Sequence, residues 1–87
     1  MKGFMYQATI NVTLKKSVLD PQGQTVLQSL KSIGFAEAKK VRVGKYFIVE
    51  IDSKDKSGAE KKIKDMCDQL LINPVIEEYS YDLKEIS

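Results

Sequence analysis

Few side chains in this sequence could carry chemistry of their own. The 87 residues include no histidine and one cysteine, so the groups that most often hold zinc or form a nucleophile–base pair are missing. Glu77 and Glu78 are neighbours in a predicted strand, where they point to opposite faces and cannot flank one substrate. Cys67 falls in the apolar stripe of a predicted helix, which favours a buried thiol with a raised pKa. We expect no catalytic residue and no metal site on this chain.

A basic cluster is the feature best suited to binding an anion. Its members could hold a phosphate or an acidic partner surface, since like charges within a Debye length add; a solvated strand is the ordinary alternative. Residues 44–49 superficially resemble the base-stacking strand of RNA-recognition domains, but Lys45 and Glu50 stand where aromatic residues are needed. The net charge is only +2, so nucleic acid is not an expected partner. The cluster consists of Lys39, Lys40, Arg42 and Lys45.

Length and composition predict one domain, spanning 1–87. The sequence is 43% hydrophobic and 30% charged, which is ordinary for a globular protein with a single core. One cysteine allows no internal disulfide and favours a reducing compartment. No apolar run approaches the roughly 20 residues that cross a bilayer, and the N-terminus lacks the apolar region of a signal peptide. We therefore expect a cytoplasmic protein with no membrane partner.

The first half of the chain predicts a strand followed by a helix. Residues 4–14 alternate between apolar and polar side chains, which is typical of a strand with one buried face. Asp20 can cap a helix that begins at Pro21, runs to about residue 33 and closes at Gly34. Gly23 falls in the first turn, where glycine costs about 1 kcal/mol relative to alanine. Nothing in the sequence explains that glycine.

Residues 37–51 predict two strands joined by a tight turn at Gly44 and Lys45. A two-residue turn would place apolar side chains on both faces of the sheet. Either Gly44 makes a bulge that changes the register, or another chain covers the outer face. The candidates for an oligomer interface on that outer face are Val41, Val43, Tyr46 and Ile48.

A second helix is predicted over roughly 58–72. Ser57 and Glu60 have the spacing of a capping box at its start. Its apolar stripe includes Cys67 and Leu70, which we expect to be buried.

Asn73 and Pro74 predict an abrupt change from helix to strand. Proline lacks a backbone N–H and keeps the preceding residue out of the helical region, so the last strand follows over 75–83. The element order favours an α+β, ferredoxin-like βαββαβ fold, with a four-stranded antiparallel sheet and both helices on one face.

Four stretches carry a resemblance: the strand at 8–14, the run from Lys15 to Gly23, the segment 41–45, and the ending from Met66 to Tyr79. Together they resemble the PurS family, the small subunits of phosphoribosylformylglycinamidine synthase. The most specific parts are Leu-Asp-Pro-x-Gly and Cys-x-x-Leu-Leu-x-Asn-Pro-Val-Ile-Glu, because the fold alone hosts many functions. The matching positions are candidates for partner-facing or structural residues: Asp20, Pro21, Gly23, Arg42, Gly44, Lys45, Asn73, Pro74, Val75, Ile76 and Glu77.

The resemblance implies an accessory subunit of a cytoplasmic carbon–nitrogen ligase in de novo purine biosynthesis. The complex uses ATP and glutamine to convert formylglycinamide ribonucleotide into formylglycinamidine ribonucleotide. A glutaminase subunit releases ammonia and a large synthetase subunit consumes it, while dimers or tetramers of the small subunit bridge the two and assist ammonia transfer. ATP and magnesium belong on the synthetase subunit, and no cofactor belongs on this chain.

A ligand-sensing regulatory domain at a dimer interface is the alternative. The two functions differ in their partners, because an accessory subunit copurifies with a glutaminase and a synthetase, and a sensor does not.

Overall fold

The computed structural model describes residues 3–86; Met1, Lys2 and Ser87, which the predicted 1–87 domain includes, lie outside this part. Strand β1 is the centre of an antiparallel three-stranded sheet with the order β2-β1-β3. The chain therefore has an α+β fold. Its elements are β1 (Phe4–Leu14), α1 (Pro21–Ser32), β2 (Gly44–Ser53), α2 (Lys56–Met66), a π-helical turn (Cys67–Leu71) and β3 (Glu77–Glu85).

The predicted fourth strand is absent from residues 3–86. The segment 39–43 carries no strand and lies instead beside the start of α1, where the Val43 N–H donates to Asp20 Oδ2 over 3.0 Å. A segment held there does not pair with β2, which begins directly afterwards. The four-stranded sheet and the tight turn at residues 44 and 45 are therefore wrong, whereas the second strand of the predicted pair exists as β2.

The core lies between one face of the sheet and α2. In β1 the alternation predicted from the sequence is confirmed, with Ala8, Ile10 and Val12 at most 1% exposed. They pack with Ile63 and Cys67, which have no exposed surface. The outer strands complete this core with the half-buried residues Phe47, Val49, Ile51, Tyr79, Tyr81 and Leu83.

Helix α2 begins at a different cap from the one predicted. Asp55 is the N-cap, and its Oδ1 accepts from the Gly58 N–H over 2.7 Å. Ser53 donates from its hydroxyl to the Asp55 carbonyl over 2.8 Å, which holds the cap in place. The prediction of Ser57 as the cap is wrong because aspartate caps as well as serine and stands earlier in the chain.

The end of the second helix widens into the π-helical turn, in which the Ile72 N–H donates to the Cys67 carbonyl over 3.0 Å. A wider turn adds a residue, so the later side chains are rotated away from the stripe of the preceding α-helix. Leu70 is consequently 82% exposed and Ile72 is 8% exposed. The prediction that Leu70 is buried is wrong, while the buried Cys67 is confirmed, and burial raises the pKa of its thiol.

Helix α1 has the predicted position but lies off the sheet. Gly34 follows it with a φ of 110°, the left-handed conformation expected of a closing glycine. Gly23 is the buried residue of α1, and the apolar side chains of Val26 and Ile33 are 39% and 70% exposed. The prediction that both helices cover one sheet face is wrong for α1.

The shape of the chain reflects this unpacked helix. Its extents are 58 × 27 × 14 Å and its radius of gyration is 17.1 Å, whereas a compact domain of this length has a radius of about 12 Å. Within residues 3–86 we find no helix of the length and apolar character that crosses a membrane.

Candidate functional site

Most of the family-signature candidates lie together at the end of β1. Antiparallel pairing brings the starts of both outer strands to this point, since Thr13 pairs with Gly44 and Leu14 pairs with Glu77. Asp20, the N-cap of α1, lies six residues beyond Leu14. We call the following residues the β1-end junction: Asp20, Gly23, Arg42, Gly44, Lys45, Asn73 and Glu77.

Asp20 connects α1 to the segment that precedes β2. Its side chain is 8% exposed in a residue type that is seldom buried. Oδ1 accepts from the Gly23 N–H over 2.9 Å, and Oδ2 accepts from the Val43 N–H. These two hydrogen bonds hold the pKa of the Asp20 carboxyl below its usual value, with the charge of Arg42 adding to the effect. One carboxylate thus caps a helix, as predicted, and also fixes a second segment.

Gly23 is required by this close approach. A Cβ at Gly23 would overlap the Val41 carbonyl oxygen and would lie 2.5 Å from Asp20 Oδ2. The neighbouring segment therefore leaves no room for a side chain, which explains a glycine that the sequence alone does not.

Arg42 ties the same segment back to β1. Its Nη2 donates to the Leu14 carbonyl and has a longer contact of 3.4 Å with the Lys15 carbonyl. The guanidinium therefore provides a hydrogen-bond donor for the carbonyl of Leu14, the last paired residue of β1. Its buried Nε has no hydrogen-bond partner within residues 3–86.

Gly44 and Lys45 fix the beginning of β2. A Cβ at Gly44 would overlap the Val12 carbonyl oxygen and lie 2.9 Å from Thr13 Cγ2. The backbone of β1 therefore leaves no room for a side chain at residue 44. Lys45 Nζ lies 3.2 Å from Glu77 Oε2 and joins β2 to β3 across the end of β1. Because Lys45 is 53% exposed, solvent screens this pair and it adds little stability.

Asn73 and Glu77 close the turn that leads into β3. Glu77 Oε1 accepts from the Asn73 N–H over 2.7 Å, and the Glu77 N–H donates to the Asn73 carbonyl over 2.7 Å. Asn73 Oδ1 accepts from the Val75 N–H over 3.1 Å. The Asn73 hydrogen bond, reinforced by Lys45, lowers the pKa of Glu77. This reciprocal pairing makes a rigid turn, which no periodicity in the sequence indicates.

The rest of the predicted ending lies on the surface of that turn. The π-helical turn ends at Leu71, shortly before Pro74, so the predicted stop is confirmed, but β3 begins at Glu77 rather than at residue 75. Val75 and Ile76 are therefore turn residues, 77% and 38% exposed. Pro21 occupies the first position of α1, where its missing N–H costs nothing.

The four interface candidates do not form the predicted contiguous patch. Tyr46 and Ile48 lie on the outer face of β2 with 59% and 60% exposure. Val41 and Val43 lie outside the sheet and are half-buried beside the junction. The larger exposed apolar surface is on and around α1, which sequence patterns assign to the core. Its members are Leu19, Val26, Ile33 and Phe35.

The junction positions chain segments relative to the sheet through hydrogen bonds and one ion pair. Among residues 3–86, no three His, Cys, Asp or Glu side chains are grouped so as to hold a metal ion. The fold and the junction define a small α+β scaffold with uncovered apolar surface, a class of protein that acts by associating with other chains.

Comparison with known proteins narrows this class to one family. The sequence model of PurS, phosphoribosylformylglycinamidine (FGAM) synthase, matches residues 7–85. The chain therefore belongs to the PurS family, and the resemblance found in the sequence is confirmed.

Three relatives show how complete the match is. The phosphoribosylformylglycinamidine synthase subunit PurS of Bacillus subtilis (strain 168) is 43% identical over 82 residues, which are 94% of this chain and 96% of the relative. The crystal structure of PurS from Methanocaldococcus jannaschii has a TM-score of 0.84 at 34% identity and covers 94% of this chain and 99% of that one. A chain in the structure of PurLQS from Thermotoga maritima has a TM-score of 0.82 at 33% identity, covering 94% and 98%.

Proposed function

We propose that this chain serves as a non-catalytic scaffold in FGAM synthase, joining the glutaminase subunit to the large synthetase subunit and assisting ammonia transfer between them. Family membership makes it a subunit of this glutamine-dependent ligase of purine biosynthesis. The complex is ATP-dependent; we assign ATP and magnesium to the synthetase subunit, no cofactor to this chain, and the whole assembly to the cytoplasm. The chain acts as one domain.

The uncovered apolar surface carries this proposal. A monomer of this length would be expected to have a radius of gyration near 12 Å, yet the chain reaches 17.1 Å because α1 lies apart from the sheet. Exposed apolar side chains are grouped on and around α1, and such a group marks an interaction site. A relative with the same fold is a chain in the structure of PurLQS from Thermotoga maritima.

Self-association would cover two of these surfaces. The first is the apolar face of α1. The second is the outer face of β2, with Tyr46 and Ile48, beside the free backbone groups of an edge strand. A two-fold contact uses the same surface of both copies. The α1 face of one copy would therefore contact either the α1 face or the β2 face of the other copy. We assign the chain a dimeric or tetrameric state on this basis.

The exposed turn residues 74–76, which lie between Asn73 and Glu77 of the β1-end junction, would then face another subunit. Val75 is held by the rigid turn at Asn73 and Glu77 with 77% of its surface exposed. A rigid, exposed apolar side chain costs little conformational entropy when it binds. We therefore assign Pro74, Val75 and Ile76 to partner contact, and the residues of the β1-end junction to holding that turn and α1 in place.

Reconstitution of the complex tests the proposal. Glutaminase and synthetase subunits are assayed for product formation with glutamine and with high ammonia, with and without this chain. The wild-type chain should copurify with both subunits and raise the glutamine-dependent rate more than the ammonia-dependent rate. Ile48→Lys should weaken self-association and lower the glutamine-dependent rate, because it puts a charge on an apolar contact.

Asp52→Lys is the matched control, since Asp52 is exposed on the same face of the same strand. It should leave assembly and both rates near the wild-type values. A chain that binds neither subunit and changes neither rate would refute the scaffold role and favour a ligand-sensing domain.

A further inference from the structure

A cavity of about 410 Å³ lies beside the β1-end junction. It opens between the loop 16–20, the first half of α1 and the segment 39–42, which Asp20 holds in place. Its volume falls within the roughly 300–1,000 Å³ typical of small-molecule sites. The hydrogen bonds of Asp20 thus hold together the segments that form this cavity.

The charges that line this cavity are mostly positive. Within residues 3–86, none of its four cations forms a salt bridge with a carboxylate. The one acidic residue in the lining is Asp20, whose two oxygens already accept backbone N–H groups. Cations gathered in a concave site add their potentials and concentrate anions. The cations are Lys16, Lys39, Lys40 and Arg42.

Arg42 is the cation of the cavity lining whose side chain is held in place by a hydrogen bond. The Leu14 carbonyl accepts from Nη2 and holds the guanidinium at the end of β1. Nη2 also lies 3.4 Å from the Lys15 carbonyl, and Nε is buried, so of the five N–H donors of the guanidinium the two on Nη1 are available to a ligand. An arginine held in this way, with Nη1 available, is well suited to a phosphate, which accepts charge-assisted hydrogen bonds from a guanidinium.

The cavity also has an apolar wall. Val18 and Leu27 line it from the loop and from α1, and Val41 lines it from the opposite segment. An inorganic anion would leave this wall unused. A ligand that joins an anionic group to a flat aromatic ring would contact both parts of the lining, because the face of such a ring packs against aliphatic side chains.

We propose that this cavity binds a small phosphorylated molecule with a flat aromatic ring, such as a nucleoside monophosphate. The phosphate lies against the side chains of Arg42 and the three lysines, and the ring lies against the wall of Val18, Leu27 and Val41. The cavity holds one small molecule, and its cations are gathered around it rather than spread along an extended strip, which favours this ligand over an acidic protein segment.

Amide-resolved NMR titration of the full-length chain tests the site. AMP should shift the amide signals of residues 16–20 and 39–42 with saturation, and the affinity should fall as salt is raised. Adenosine, which has the ring without the phosphate, should bind at least about tenfold more weakly, because it lacks the charge-assisted hydrogen bonds. A polyglutamate peptide supplies the protein-like anion.

Paired charge variants locate the binding. Lys39→Gln with Lys40→Gln should weaken AMP binding at least about tenfold through the loss of two cations. Lys61→Gln with Lys62→Gln removes the same charge from the exposed side of α2 and should leave AMP affinity unchanged.

Three results would overturn the proposal. They are the absence of saturable shifts with AMP, equal affinity of adenosine and AMP, and equal loss of affinity in the two lysine pairs. Polyglutamate shifting these amides when AMP does not would assign the cavity to a protein partner instead.

Discussion

Helices α1 and α2 are built alike and packed differently. They have 12 and 11 residues, and each begins at an aspartate whose side chain accepts from the N–H of a glycine three residues on, over 2.9 Å in α1 and 2.7 Å in α2. Helix α2 buries Ala59 and Ile63 against the sheet. Helix α1 buries Gly23 alone, while Val26 is exposed and Leu27 and Leu30 are half-buried.

The difference lies in what holds each helix start. Helix α2 follows β2 after two residues and is delivered directly onto the sheet face. At the start of α1, Asp20 accepts a hydrogen bond from the Val43 N–H, and Gly23 lies in close contact with the Val41 carbonyl. These contacts keep the start of α1 beside the end of β1. An amphipathic pattern shows that a helix has an apolar face. The segment that precedes each helix, and the contacts of that segment, decide whether the apolar face packs on the helix's own sheet or is left for another chain.

The largest expected effect is in the core beneath α2. Ile63 has no exposed surface, so Ile63→Ala should lower the free energy of unfolding by about 2–5 kcal/mol through a cavity that the sheet cannot fill. Denaturant unfolding followed by circular dichroism measures this change. Leu70→Ala, on the exposed side of the π-helical turn, is the control and should change it by less than about 0.5 kcal/mol. Equal costs would mean that the turn does not rotate Leu70 out of the core.

A smaller effect is expected where α1 meets the segment 41–43. Gly23→Ala places a methyl group against the Val41 carbonyl and the Asp20 carboxylate, and overpacking of this kind costs about 1–3 kcal/mol. Denaturant midpoints compare it with Gln28→Ala, an exposed site on the same helix where alanine is a better helix former. If Gly23→Ala proves as stable as Gln28→Ala, the close approach at the junction is incorrect.

The smallest expected effect is an acid dependence of the junction. The pKa values of Asp20 and Glu77 are lowered by backbone N–H groups of the folded chain, so folding favours their ionised forms. Their contribution is complete above the ordinary carboxyl pKa values of 3.8 and 4.5 and is lost as the pH falls through the lowered ones. Glu77→Gln keeps the acceptor for Asn73 but not the charge. Its stability should therefore fall less steeply than that of the wild type between about pH 5 and pH 2, and identical curves would contradict this role for Glu77.

Periodicity and caps were enough to predict β1, α1 and the stop at Pro74, because these depend on neighbours in the sequence. The Ser57 cap and the buried Leu70 were wrong because Asp55 competes as a cap and a π-helical turn leaves no periodic signal. The predicted strand over 37–43 failed because Asp20, more than twenty residues away, binds Val43. The sequence identified the members of the candidate site through a family signature. It could not show that backbone N–H groups donating to Asp20 and Glu77 bring them together.

If another chain covers the apolar face of α1, as proposed above, self-association must depend on that face. Light scattering of the purified full-length chain at tens of micromolar, for the wild type, Val26→Lys and Gln28→Lys, tests it most directly. Val26 lies in the apolar stripe of α1 and Gln28 on its opposite side. The wild type and Gln28→Lys should have the mass of a dimer or tetramer, and Val26→Lys should have a lower mass because a buried charge without a partner is costly. A monomeric wild type, or a Val26→Lys variant with the wild-type mass, would contradict the account.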